Sequence, residues 1–123
     1  MAAASPRTLK FSPGMRIKQG RDFSRVRREG QRQVVGCVIA NWQPMPAGAA
    51  PRLGVVTSGK IGNAVVRNRA RRLLREVFRL HQHDLATPVD LVLIARPSIA
   101  GKGFFEVEQD VLATLRRSGL LPK

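Results

Sequence analysis

The period of the apolar positions changes several times along the chain, and each change marks an element. Phe23 and Val26 share a face of the stretch from about Gln19 to Glu29. Arg21, Arg25, Arg27 and Arg28 fill much of the remainder. That pattern predicts a short helix with Gly30 placed to end it. "QVVGCVIANW", Gln33 to Trp42, is a β-branched apolar run and predicts one strand. The proline-rich "QPMPAGAAP" reads as a loop, and "RLGVVTS", Arg52 to Ser58, as a second strand antiparallel to the first across it. "GKIGN" is a glycine-bracketed loop that sets Asn63 as the N-cap of a long helix reaching about His81. "VDLVLIA", Val89 to Ala95, is nearly all apolar, the mark of a strand covered on both faces. The last helix runs from about Phe104 to Arg117. Glu106, Glu108 and Asp110 lie near its start and Arg116 and Arg117 at its end, as the helix dipole favours.

The order helix, strand, strand, helix, strand, helix is met most economically by one α/β domain, a two-layer sandwich on a small mixed sheet with room for a further short strand. It spans residues 17–121. Residues 1–16, interrupted by Pro6, Pro13 and Gly14, read as a flexible basic N-terminal segment. Strand 52–58, the long helix and strand 89–95 form a βαβ crossover, right-handed by the general rule.

On a helical wheel at about 100° per residue, Val66, Ala70, Leu73, Leu74, Val77, Phe78 and Leu80 of the long helix form one continuous arc. The other arc carries Arg67, Asn68, Arg69, Arg71, Arg72, Arg75, Glu76 and Arg79. The arginines therefore coat the outside of a helix whose apolar face is spent on the core. From Lys60 to Arg79 there are seven positive residues and one negative. Arg72 can pair with Glu76 at i,i+4 for about 0.2–0.5 kcal/mol, far too little to compensate the rest. One-sign fields of this kind serve binding or steering.

Charge extends the picture to the whole molecule. Against 8 Asp plus Glu stand 22 Lys plus Arg, a formal net charge of +14. Most of the excess is arginine, whose planar fork matches phosphate bidentately. Nucleic acid is the first candidate partner and an anionic membrane surface the second, although no apolar stretch approaches the ~20 residues of a membrane span. The start, "MAAASPRTLKF", has no apolar core of signal-peptide length and reads as a frayed basic tail, so a cytoplasmic location is expected. Cys37 is the only cysteine, which excludes an internal disulfide, and its apolar surroundings predict a core residue.

Protein-borne catalysis finds little support. Two-metal hydrolysis needs converging carboxylates, and the eight acids are scattered. The dipole accounts for Glu106, Glu108 and Asp110. His81 and His83 point apart on a helix, which disfavours a shared metal and leaves contacts to the helix C-terminus. At the helix start, free backbone N–H groups behind the "GKIG" turn offer an anion site. Asn68, an amide among arginines, suits a base edge, a 2′-hydroxyl or a carbonyl; a plain surface residue is the alternative.

"KIGNAVVRNRARRLLREVF", Lys60 to Phe78, with Arg67-Asn68-Arg69 at its centre, resembles the signature of the bacterial ribonuclease P protein subunit. "RDFSRV", "RLGVVTS", "DLVLIARP" and the closing amphipathic helix extend the resemblance over nearly all of the chain after about residue 15. The resemblance implies a protein that binds a large catalytic RNA and assists removal of the 5′ leader from precursor tRNA. The RNA and its magnesium ions perform the hydrolysis. It implies a left-handed crossover, against the general rule, and a protein that is monomeric alone. It implies RNA contacts by Lys60, Asn63, Arg67, Asn68, Arg69, Arg71, Arg72 and Arg75. It also implies a cleft between sheet and first helix that receives the single-stranded leader, with Phe23 as its aromatic. Arg27 stands where a second aromatic is often found, Asn41 where a strand aromatic can occur, and Gly59 where a basic residue is usual. Trp42 reads either as part of that cleft or as cover at a strand end. The competing function is a basic ribosomal or ribosome-assembly protein, against which the "GNAVVRNR" signature argues.

Overall fold

The computed structural model describes residue 11 and residues 13–122. Three helices, α1 (Gly20–Glu29), α2 (Ala64–His81) and α3 (Phe104–Arg117), pack on one four-stranded sheet of β1 (Gln31–Val35), β2 (Val38–Pro44), β3 (Arg52–Val56) and β4 (Val89–Ala95). The sheet order is β1-β2-β4-β3, with β1–β2 and β2–β4 antiparallel and β3–β4 parallel.

Two strand expectations are corrected. The run from Gln33 to Trp42 is not one strand but most of a hairpin whose two-residue turn is Gly36-Cys37, with Val35 paired to Val38. Gly36 sits at φ +57, the glycine-first arrangement of a tight hairpin turn. From α3, the Asp110 carboxylate accepts from the Cys37 backbone N–H at 3.0 Å and from Lys102 Nζ at 2.9 Å. It stands where a Cβ on residue 36 would go. Asp110 thus pins the hairpin rather than only answering the α3 dipole. Cys37 is fully buried, and burial followed by the neighbouring Asp110 pushes its thiol up to about 12.

The second correction concerns β3. It does not pair with β2; β4 lies between them. The reason is burial. β4 is buried at every position but Ile94, and so apolar a strand is stable only in the interior of a sheet covered on both faces. β3 carries Arg52 and takes an edge.

Alternation then sorts the side chains. Val38, Ala40 and Trp42, Leu53, and Val89, Leu91, Leu93 and Ala95 face α2 and α3 and form the main two-layer core with Leu74, Val77, Phe78, Val107 and Val111. On the other face Val92 packs with Val26 of α1 and Ile17, bordered by Phe23, Val56 and Ile94. Gly30 ends α1 as expected, but not through a left-handed conformation: its φ is −90°. A side chain there would run into the backbone carbonyls of Val26 and Trp42, so the helix needs glycine to approach β2.

The N-terminal segment is corrected in part. Pro13–Met15 form a 3-10 turn, Arg16 bridges to Leu53 on the β3 edge, and the Ile17 N–H donates to the Leu53 carbonyl at 2.9 Å. Phe11 packs edge-on against Phe78 with ring centroids 5.7 Å apart. Residues 1–10 and 12, the remainder of the segment read as flexible, lie outside the described residues.

Candidate nucleic-acid interface

The loop before α2 is built by glycine and asparagine. Gly62 sits at φ +146, open to glycine alone, and a Cβ would also press on Val66. Asn63 is the N-cap, its Oδ1 accepting from the Val66 N–H at 3.1 Å. Lys60 stands exposed in the 3-10 turn Gly59–Ile61, where the Ser58 hydroxyl accepts from its backbone N–H.

Along α2, Arg67, Arg69 and Arg71 are held by neutral groups. Arg67 Nη1 donates back to the Gly62 carbonyl at 3.0 Å, bracing the loop. Arg69 Nη2 reaches the other way, to the Lys102 carbonyl at 2.7 Å ahead of α3. Asn68 lies exposed between them and accepts from Arg71 Nη1 at 2.7 Å. The side chains of Arg72 and Arg75 have no hydrogen bond or ion pair among the described residues. A guanidinium carries five N–H donors, so each of these side chains keeps donors for a ligand. Burial, and then the charges of Arg16 and Arg71, hold the Arg75 pKa below the usual arginine value.

The expected Arg72–Glu76 pair is corrected: Glu76 takes Arg79 at i,i+3 instead, through two hydrogen bonds of 2.9 and 2.7 Å. That contact leaves Arg67, Arg69, Arg71, Arg72 and Arg75 with no carboxylate of their own among the described residues. The face of α2 is therefore positive in fact as well as in composition.

Phe23 of α1 borders the opposite sheet face, and Arg27 stands one turn on. The Phe23 ring lies directly over Gly54 of β3, in the space a side chain there would fill. Arg27 is exposed. Trp42 does not join them: it is 5% exposed within the core on the α2/α3 side. The cleft assignment for Trp42 is overturned because alternation in β2 turns Asn41 toward α1. Asn41 is 4% exposed and makes no side-chain hydrogen bond among the described residues.

The acids have separate roles. Glu106 caps the start of α3, its Oε1 accepting from the Gly103 N–H at 3.0 Å. His81 joins Glu108 at 2.9 Å and Asp84 at 3.2 Å, in place of the helix-end contacts expected of it. No group of three or more His, Cys, Asp or Glu side chains able to hold a metal occurs among the described residues. No described helix is long and apolar enough to cross a membrane.

The sequence reading missed two features. One is the pairing of buried Asp90 with Arg25 and Arg52 across the α1 face. Its signal was a lone acid in an otherwise apolar strand. The other is the approach of Phe11 and Arg16 to α2, which no local pattern announces.

A ribonuclease P family model matches residues 11–119. The ribonuclease P protein component of a Geobacillus species is 34% identical over 108 residues, covering 88% of this chain and 93% of that protein. The Thermus aquaticus protein of the same description is 40% identical over 106 residues, 85% of this chain and 60% of that one. Among solved structures, the Staphylococcus aureus RNase P protein superposes with a TM-score of 0.80 at 26% identity, covering 88% of this chain and 98% of that one. The Thermotoga maritima RNase P protein gives 0.72 at 28% identity, covering 83% and 96%. Family model, relatives and fold agree with the arginine face, and the chain belongs to the ribonuclease P protein family.

Proposed function

We propose that this chain binds the catalytic RNA of ribonuclease P through Lys60, Asn63 and the arginine face of α2, and receives the 5′ leader of precursor tRNA in the cleft between α1 and the sheet. The observation that carries the reading is the α2 face itself: five arginines with no described acid of the chain assigned to them, three of which, Arg67, Arg69 and Arg71, are oriented by two carbonyls and an amide. Phosphate is the ligand that completes such a surface, and each neutralised phosphate releases condensed cations.

The cleft suits a single strand better than a duplex. Its floor is the partly exposed apolar row of Val56, Ile94 and Ile39, with Phe23 beside it over Gly54. An aromatic face is the group on which unstacked bases stack. Arg27 supplies a cation at the rim.

The hydrolysis is assigned to the RNA with its magnesium ions. The described acids of the chain are engaged in caps, turns and ion pairs. The chain positions substrate and screens phosphate repulsion, and acts as a monomer before assembly.

Reconstitution tests the reading. Refolded catalytic RNA and precursor tRNA are assayed at low magnesium with and without the protein. Stimulated cleavage at the mature 5′ end is expected. Absence of stimulation, with both components shown to be folded, would remove the proposal. A ribosomal protein would instead co-purify with ribosomal particles.

A further inference from the structure

Among the described residues three large apolar side chains are exposed, and two of them border the same arginine. Val65 is 75% exposed and stands one turn before Arg69 on α2. Phe105 is 68% exposed in the first turn of α3. It lies three residues beyond Lys102, whose carbonyl accepts from Arg69 Nη2 at 2.7 Å. Surface hydrophobic residues scattered singly need no explanation. Two gathered at one cation of the arginine face do.

Phe105 is also the aromatic ring that the fold leaves uncovered. Phe11 packs on Phe78, Phe23 lies over Gly54, Phe104 rests against the core, and Trp42 is inside it. At about 100° per residue, Val107, Val111 and Leu115 of α3 point to the sheet. Asp110 flanks them on the hairpin side and Glu108 on the α2 side, where it meets His81. Phe105 falls beyond Glu108, so its ring stands on the α2 flank of α3. Neither helix propensity nor the helix dipole favours an aromatic side chain at that position.

The charges around the ring decide what covers it. Arg69 spends one donor on the Lys102 carbonyl and keeps others, since a guanidinium has five. The acids at this end of α3 are committed: Glu106 to the Gly103 N–H, Glu108 to His81, and Asp110 to Lys102 and the Cys37 N–H. A polyanion arriving here meets a cation and no idle carboxylate of α3. A stable protein partner buries about 800 Å² on each side, far more than one ring and one valine supply. An unpaired nucleotide offers both chemistries at once, a phosphate for the guanidinium and a flat base for the ring.

We propose that Phe105 is a base-stacking platform, on which an unpaired base of the catalytic RNA rests beside the strand held by Arg69. The proposal depends on the RNA-binding reading above and goes beyond it. Contact extends from α2 to α3, and part of the affinity comes from stacking rather than from charge.

The test separates those two sources. Binding of the full-length protein to a refolded bacterial ribonuclease P RNA is measured across a salt series. Stacking releases no counterions, so Phe105→Ala is expected to weaken binding about tenfold, the scale of one stacked base, with the log–log salt slope unchanged. Arg69→Ala should instead flatten the slope by about 0.7–0.9. Phe105→Leu keeps apolar area and loses the ring, and should stay weak. Phe105→Tyr should bind as the wild type does. Thermal melts check folding, and Phe105→Leu carries the comparison should Phe105→Ala melt early. Phe105→Trp reads the contact directly: quenched indole emission on RNA binding is expected, against a wild type whose Trp42 is buried.

Wild-type affinity in Phe105→Ala and Phe105→Leu, alongside weakened binding in Arg69→Ala, would overturn the platform and leave the helix face standing. Full binding by Phe105→Leu with weak binding by Phe105→Ala would reduce the ring to plain apolar cover and overturn stacking. Unchanged RNA affinity in Phe105→Ala with loss of self-association in sedimentation would give the ring to a second copy of the chain, against the proposal. Unchanged binding in both Phe105→Ala and Arg69→Ala would bring down the RNA-binding reading together with the platform.

Discussion

Arg25 of α1 donates from Nη2 to the Asp90 carboxylate of β4 at 2.7 Å, and that carboxylate is fully buried. Arg52 of β3 grips the same group through Nε and Nη2 at 2.9 and 2.7 Å, and Gln43 of β2 accepts from Arg25. Asp90 and Arg25 together therefore tie α1 to three strands. Burial works to raise the Asp90 pKa, but hydrogen bonds from Arg52 and Arg25 outweigh it and hold the carboxyl below the usual carboxylate range. Removing one partner of a buried pair costs about 3–5 kcal/mol. Asp90→Asn should approach the lower figure, because the two arginines retain access to water. The sign of the pH dependence follows from the lowered pKa. The stabilisation is complete above the unfolded-state value of about 3.9 and is lost as pH falls through the lower folded-state value. Chemical denaturation from neutral pH down to acid should show wild-type stability falling in that window and a flatter profile in Asp90→Asn. Equal acid sensitivity in the two proteins would assign the effect to other carboxylates, Asp110 first.

Gly54 lets the Phe23 ring lie on the sheet. A methyl group there must displace the ring, since the clash is with a side chain confined between α1 and β3. Gly54→Ala should cost about 1–3 kcal/mol, the usual scale of overpacking. It should also alter the cleft without touching α2. The expected signature is weakened binding of precursor tRNA carrying a leader, with unchanged affinity for the catalytic RNA. Equal loss toward both would show that the two surfaces are not separable.

The elements that repeat a period over many residues were legible in the sequence. The arc from Val66 to Leu80 gave α2, Asn63 its cap, and the apolar run from Val89 to Ala95 a doubly covered strand. The hairpin was not legible, because a single glycine inside "VVGCV" carries the whole turn and its neighbours are apolar on both sides. Nor was the partner of β3, since pairing is decided by which strand most needs cover, a property of the assembled sheet. Side-chain commitments were hidden for the same reason. Arg72 and Arg79 both lie within reach of Glu76, and only the helix geometry and its surroundings choose between them. Trp42 was ambiguous until the register placed it opposite Gln31 and Leu91, on the α2/α3 side.

Arg67 and Arg69 spend one donor each on backbone carbonyls, and their roles in the fold differ. Arg67 braces the loop at Gly62, whereas Arg69 links α2 to the approach to α3. Each replaced by alanine should weaken RNA binding at moderate salt and reduce the log–log salt slope by about 0.7–0.9 per lost phosphate contact. Neither should unfold the domain, because the freed carbonyls can reach water; a loss of about 0.5–1.5 kcal/mol is expected for each. Filter binding over a salt series and thermal melts measure the two quantities separately. Unchanged affinity in both variants would remove α2 from the interface.

Asn63 faces two demands at once. Its Oδ1 is spent on the Val66 N–H, and its side-chain amide N–H groups make no hydrogen bond to a described residue. Loss of an N-cap costs about 0.5–2 kcal/mol, so Asn63→Ala should lower stability by about 1 kcal/mol and RNA affinity with it. Asn63→Ser separates the demands, since serine caps a helix as well as asparagine does but offers no amide donor. If the residue serves only the cap, serine should restore both stability and RNA affinity. If the amide also meets the RNA, stability should return while affinity stays low. The second outcome is expected, because Asn63 is exposed at the positive end of α2, where a phosphate arriving beside Lys60 would lie within reach of its free donors.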